Sequence, residues 1–170
     1  MRALWLIGMM GSGKTVAGEI VAQRLAMPFV DTDERIATEQ GQAITSLWEA
    51  TGEGRFRQLE SEEIAKLVLS GRDCVVATGG GAVLMPANVT AMRNHGLVVW
   101  LTAEPEVLAT RLGDDLTRPL LAGGSIGDRL TGILRDRQPI YAAAAHHAVD
   151  TTDKAPRDVA REVVLLWNAS

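Results

Sequence analysis

Within this 170-residue chain the stretch from Ala3 to Leu25 constrains the fold most. An uninterrupted apolar run, Ala3 to Ile7, passes directly into Gly8-Met9-Met10-Gly11-Ser12-Gly13-Lys14-Thr15, after which Ala17, Ile20, Val21 and Leu25 recur on one helical stripe. The pattern G-x-x-x-x-G-K-[ST] between a strand and a helix is that of a phosphate-binding P-loop. Gly8, Gly11 and Gly13 let the backbone turn successive N–H groups inward onto an anion. The helix that follows adds its positive N-terminal end. Lys14 is placed to reach the β- and γ-phosphates of a nucleotide, and the Thr15 hydroxyl to ligate Mg²⁺. Gly11, Ser12, Gly13, Lys14 and Thr15 are therefore the expected nucleotide-binding set. The loop leaves the phosphate acceptor open, because GTPases, motor ATPases and small-molecule kinases all use it; no guanine-reading N-K-x-D tetrapeptide occurs here.

The rest of the chain continues the alternation. Apolar runs at Phe29–Val30, Cys74–Ala77, Leu97–Leu101 and, more weakly, Ala148–Asp150 read as further strands. Runs without polar alternation suit strands covered on both faces, as in a parallel sheet. Val159, Val163, Leu166 and Trp167 form a second helical stripe, and Pro28, Pro86 and Pro156 mark element ends. The expected fold is α/β: a three-layer α/β/α P-loop NTPase fold with a five-stranded parallel sheet, in one domain over residues 1–170. Two stretches interrupt the alternation. Residues 32–70 read as an inserted helical segment, where α/β folds usually carry substrate specificity, and 113–127, with glycines around Arg118-Pro119, as a mobile loop.

Charge and composition exclude several classes. A net charge of −4, from 17 Lys+Arg against 21 Asp+Glu, argues against nucleic acid as a partner. The lone Cys74 leaves no intrachain disulfide and no cysteine-based zinc site. No run is long and apolar enough for a membrane span, and the N-terminal apolar run leads into glycines and Lys14 where a signal peptide would carry a cleavage site. A cytoplasmic, monomeric protein is expected. Of the 17 basic residues only Lys14, Lys66 and Lys154 are lysines, a bias that GC-rich coding would produce by itself.

Four clusters could hold a second substrate. Asp31 and Asp33, two apart at a strand end, would point to one side if the strand continued, one toward magnesium and one toward an incoming hydroxyl; an Asx turn capping the next helix is the other reading. Arg57 and Glu60 are helical neighbours, paired either in a site or as a solvated surface bridge. Gly79, Gly80 and Gly81 follow a strand, where they expose N–H groups to a ligand or form a flexible loop. Arg111, Arg118 and Arg137 are each ordinary surface charge when taken singly, and together supply planar forks for carboxylate and phosphate oxygens.

With these residues in view, the chain resembles the shikimate kinases. The resemblance runs in order through G-x-x-G-x-G-K-T at Gly8–Thr15, F-x-D-x-D at Phe29–Asp33, G-E-x-x-F-R-x-x-E at Gly52–Glu60, G-G-G at Gly79–Gly81, R-P-L-L at Arg118–Leu121, R-x-P-x-Y at Arg137–Tyr141 and V-D-T at Val149–Thr151. It implies transfer of the γ-phosphate of ATP to the 3-hydroxyl of shikimate, on the route to chorismate and the aromatic amino acids, with Mg²⁺ as cofactor. By that resemblance Arg57 and Arg137 grip the acceptor carboxylate, and the backbone at Gly79, Gly80 and Gly81 closes the pocket. Asp33 bonds the reacting hydroxyl and Glu60 holds Arg57. Arg118 swings in with a lid over residues 113–127 onto the transferred phosphate, Arg111 and Pro156 flank the adenine, and Asp31 touches Mg²⁺ through water. Lys14, Asp33 and Arg118 form the implied catalytic set.

The chain departs from the family pattern at Val16, where a second hydroxyl residue is common, and at Trp48, where a smaller side chain is usual. His146-His147 read as the solvated end of a helix, since adjacent residues on a helix cannot face one metal. A kinase for another polyol acid such as gluconate, and a non-catalytic nucleotide-binding module, are the competing readings; the intact set Lys14, Asp33, Arg57, Arg118 and Arg137 weighs against the module.

Overall fold

A computed structural model describes residues 3–113 and 126–170. Arg118, and with it most of the expected lid 113–127, lies outside the described residues. Strands β1 (Ala3–Ile7), β2 (Phe29–Asp31), β3 (Val75–Ala77), β4 (Gly96–Thr102) and β5 (His147–Asp150) pair in parallel in the order β2-β3-β1-β4-β5. Strand alternation divides the core in two. On one face Ala3, Trp5, Ile7, Val76, Val98 and Trp100 pack with α3 (Ile44–Ser70), α4 (Pro86–Asn94), α5 (Pro105–Leu112) and α6 (Ile126–Ala144). On the other, Leu4, Leu6, Val75, Val99 and Leu101 pack with α1 (Lys14–Leu25) and α7 (Pro156–Ala169). Burial on both faces explains the absence of polar alternation in β1, β3 and β4. Cys74 is buried just outside β3 rather than within it.

The segment 32–70 is helical, as expected: α2 (Thr32–Gln40) and α3, which breaks at Gly52 (φ 77°, ψ 168°). The first part of this insertion has a small core of its own, built from Ile36, Leu47, Phe56 and Leu59. An ion-pair chain ties its two helices: Arg35 meets the buried Glu63 at 2.9 Å, and Lys66 pairs with Glu39. No helix of the described residues is long and apolar enough to cross a membrane.

One expectation is corrected. His146 and His147 do not sit on a helix end, because α6 stops at Ala144 and His147 opens β5. Arg93 of α4 ends α6 by donating to the carbonyls of Ala144 and Ala145 at 3.1 and 3.0 Å. His146 then joins the sheet, its backbone N–H donating to the Val98 carbonyl (2.8 Å) and its Nδ1 accepting the Val98 N–H (3.0 Å).

This strand order sets the carboxyl ends of β2, β3 and β1 side by side. Asp31 is in register with Ala77, and Ala77 with Leu6. The P-loop, the Asp31–Asp33 segment and the three glycines thus converge on one edge of the sheet, where open α/β sheets bind ligands.

Candidate active site

The P-loop takes the turn its glycines predict, with φ of 144° at Gly8, 78° at Gly11 and 86° at Gly13, before α1 starts at Lys14. The Lys14 ammonium donates to the Gly8 and Met9 carbonyls at 2.9 and 2.8 Å, which holds it within the loop. The Thr15 hydroxyl donates to Asp31 Oδ2 at 2.8 Å. A hydroxyl and a carboxylate side by side at a phosphate loop are hard oxygen donors that suit Mg²⁺, which keeps several waters and takes its other ligands from phosphates. Among the described residues no cluster of three metal-ligating side chains competes with them.

The Asp31–Asp33 pair arises differently from the strand extrapolation. β2 ends at Asp31 and α2 begins at Thr32, so the two carboxylates do not share a strand face. Asp31 Oδ1 caps α2, accepting the Asp33 N–H at 3.0 Å and the Glu34 N–H at 3.4 Å, while Oδ2 takes Thr15. Capping and the P-loop contact, posed as alternatives by the sequence, coexist in one side chain. Asp33 lies in the first turn of α2 with Oδ1 turned toward Gly79.

Beyond the P-loop the cleft is walled by charged side chains. Arg57, only 8% exposed, bonds Glu60 Oε2 through Nη1 (2.5 Å) and Glu53 Oε1 through Nη2 (3.1 Å). The Trp48 ring lies 5.1 Å from the guanidinium carbon and 5.3 Å from the Phe56 ring. The surface-bridge reading of Arg57–Glu60 therefore fails: the pair is buried. Spacing identified Glu60, and the same rule at i−4 would have found Glu53, which sequence reasoning left without a role. The glycines are required by close approach. A Cβ on Gly79 would run into the carboxylates of Glu60 and Asp33, and one on Gly81 into the Arg57 guanidinium. The loop is pinned from both sides: the Gly79 N–H donates to Thr32 Oγ1 (3.0 Å), and the Gly80 carbonyl accepts from the Tyr141 hydroxyl and from Arg137 Nη1 (3.4 Å). Arg137 and Tyr141 reach it together because they lie one turn apart on α6. Tyr141 was part of a motif but had no assigned task; stacked 5.7 Å from Trp100, it anchors the turn.

Burial dominates the electrostatics. The Glu60 carboxyl is pushed up to about 7 by burial and by the Asp33 charge, against the pull of Arg57 and Arg137. One of its oxygens, Oε1, has no hydrogen-bond partner among the described residues. Burial opposes the charge on Arg57, yet Glu60 and Glu53 outweigh it and raise the guanidinium further. Burial also lifts the Tyr141 phenol to about 12, so it stays a donor to Gly80.

At the other end of the cleft Arg111 lies beside Thr151, with Lys154 and Pro156 completing the wall. These four residues line the same cavity as Lys14, Asp33, Arg57 and Arg137, a space of about 960 Å³. Every site residue expected from the sequence and described here faces it: Gly11, Ser12, Gly13, Lys14, Thr15, Asp31, Asp33, Arg57, Gly79, Gly80, Gly81, Arg111, Arg137 and Pro156. A continuous space with a phosphate loop in the middle and opposed arginines at one end can align an anionic acceptor with a nucleotide.

The comparisons with known proteins bear on the chain and its fold as a whole. The chain is 44% identical over 161 residues to a shikimate kinase of Symbiobacterium thermophilum, covering 94% of this chain and 92% of that one. Its structure superposes on that of shikimate kinase from Acinetobacter baumannii in complex with shikimate with a TM-score of 0.94, at 33% identity and over 99% and 94% of the two chains. A gluconokinase from Sinorhizobium meliloti shares the fold alone, with a TM-score of 0.61 at 18% identity over 99% and 92% of the chains. The family model for shikimate kinase matches residues 10–167, and the chain belongs to the shikimate kinase family.

Proposed function

We propose that this ATP-dependent kinase moves the γ-phosphate of ATP onto the 3-hydroxyl of shikimate, giving shikimate 3-phosphate and ADP, with the roles distributed along the cleft as follows. The P-loop backbone and Lys14 take the phosphates. Arg57 and Arg137 take the acceptor carboxylate, and the glycine turn at Gly79–Gly81 shapes the floor between them. Asp33 orients the reacting hydroxyl and receives its proton late, which is all that a loose phosphoryl-transfer transition state asks of a base. Thr15, and Asp31 through water, would hold Mg²⁺, whose charge, when bound, offsets that of the phosphates. Arg111 and Pro156 flank the adenine. Arg118, outside the described residues, joins the catalytic set on the family resemblance alone.

The observation that carries this reading is the buried Arg57. A guanidinium held by Glu53 and Glu60 and covered by Trp48 is fixed in one orientation before any ligand arrives, as capture of a carboxylate requires. The same proposal takes residues 1–170 as one domain, monomeric and cytoplasmic, with 32–70 carrying the acceptor and 113–127 serving as the lid. ADP release with Mg·ATP and shikimate, quinate or gluconate tests it. Shikimate is expected to be turned over fastest, and a preference for gluconate would overturn the acceptor assignment.

A further inference from the structure

Thr151 is a polar side chain in a core position, 2% exposed, immediately after β5. Its backbone N–H already continues the sheet by donating to the Thr102 carbonyl at 2.9 Å. The turn is braced separately, since Asp150 Oδ1 accepts from the N–H and hydroxyl of Thr152 at 3.0 and 2.7 Å, and Thr152 Oγ1 accepts the Glu104 N–H at 3.2 Å. Strand and turn are thus both tied without the Thr151 hydroxyl. That hydroxyl accepts Arg111 Nη1 at 2.9 Å, while the Thr151 carbonyl accepts Nη2 of the same guanidinium at 2.5 Å and the Thr152 carbonyl lies 3.3 Å from it. A planar fork held at two atoms of one residue has its plane set by that residue. The single hydroxyl proton has two acceptors, the Thr102 carbonyl at 2.9 Å and the carbonyl of Ser12, inside the P-loop, at 3.4 Å.

We propose that Thr151 is the positioning residue of the nucleotide end: its hydroxyl, anchored on the Thr102 carbonyl, fixes the plane of the Arg111 guanidinium against the adenine. The inference rests on the reading that Arg111 flanks the base, and the experiment separates the two. Thr151→Val, which keeps the shape and removes the hydroxyl, is compared with Thr151→Ser, Arg111→Ala and the Thr151→Val/Arg111→Ala double variant. KM for ATP, KM for shikimate, kcat and the preference for ATP over CTP are read for each. Thr151→Val is expected to raise KM for ATP about tenfold, the scale of one hydrogen bond to a charged group, and to reduce the preference for ATP over CTP. KM for shikimate and kcat stay within about twofold. Thr151→Ser restores the parent values, and in the Arg111→Ala background Thr151→Val adds nothing.

If Arg111→Ala raises KM for ATP and Thr151→Val does not, positioning is overturned while the assignment of Arg111 stands. Should Arg111→Ala leave KM for ATP unchanged, the base-flanking reading falls and the inference with it. Equal losses for ATP and CTP, adding to those of Arg111→Ala, would assign the hydroxyl to the P-loop alone and also overturn the proposal. Where Thr151→Val does not fold, Thr151→Ala is read in the same way; failure of both to fold makes the hydroxyl a part of the scaffold and overturns it too.

Discussion

At the phosphate end of the cleft the loop between β1 and α1 offers main-chain N–H groups and one lysine, and it lies between the two cores of the sheet. At the end proposed for the acceptor the groups are charged side chains, Asp33, Arg57 and Arg137, and the first two ride on helices with a separate small core. A backbone cradle is made by folding itself and needs no partner for any side chain. A buried guanidinium needs counter-charges, and Arg57 has two of them plus an aromatic cover, each an additional residue that must be correct. On the proposed assignment, recognition of phosphate is therefore compact in sequence, while recognition of the acceptor is spread over Asp33, Trp48, Glu53, Arg57, Glu60, the three glycines and α6.

The contrast predicts that losses at the acceptor end leave nucleotide binding intact. The largest loss is expected from Asp33→Asn, which keeps shape but cannot take the proton: kcat should fall about 10²–10⁴-fold, with KM for ATP within about twofold. Steady-state kinetics check this, and an unchanged kcat would remove Asp33 from the proton's path. Next in size, Arg57→Ala should cost about 2–5 kcal/mol in kcat/KM for shikimate. ADP affinity, measured by calorimetry, should not move; a collapse there instead would show that the two ends are not separate.

The smallest effect concerns pH. With a folded-state value near 7, above its ordinary 4.5, Glu60 gains a proton as pH falls through neutrality. An acceptor carboxylate arriving at Arg57 adds negative charge beside it and favours that proton further. Shikimate binding should thus take up protons near pH 7, and KM for shikimate should rise about tenfold or less from pH 6 to pH 8. By the same sign, the Glu60 contribution to folding stability is full below pH 4.5 and is lost as pH rises through about 7. Glu60→Gln should flatten the KM profile, whereas a profile unchanged by that substitution would assign the titration to another group.

Much of the phosphate end could be read directly from the residues, because an apolar run, glycines at fixed offsets and a helical stripe are all local signals. At the acceptor end the residues were legible but their geometry was not. Strand alternation extended past Asp31 puts two carboxylates on one face; the chain turns into a helix one residue earlier, and Asp31 itself is the cap that turns it. The end of α6 escaped notice because nothing local stops the run Ala142–Ala145. Arg93, far away in sequence, supplies the stop. Thr151 was visible within V-D-T, but its contacts to Arg111 and Ser12 exist only once β5 lies beside β4.

The four-residue core under the acceptor helices has a consequence for how such enzymes diversify. Ile36, Leu47, Phe56 and Leu59 pack with one another and belong to neither core of the sheet, so the outer part of the segment carrying Asp33 and Arg57 packs largely on itself, while the C-terminal half of α3 anchors it to the sheet through Ile64 and Leu67. Substitutions confined to that outer part leave the packing beneath the P-loop untouched. A lineage could change the molecule it phosphorylates without rebuilding the machinery that delivers the phosphate.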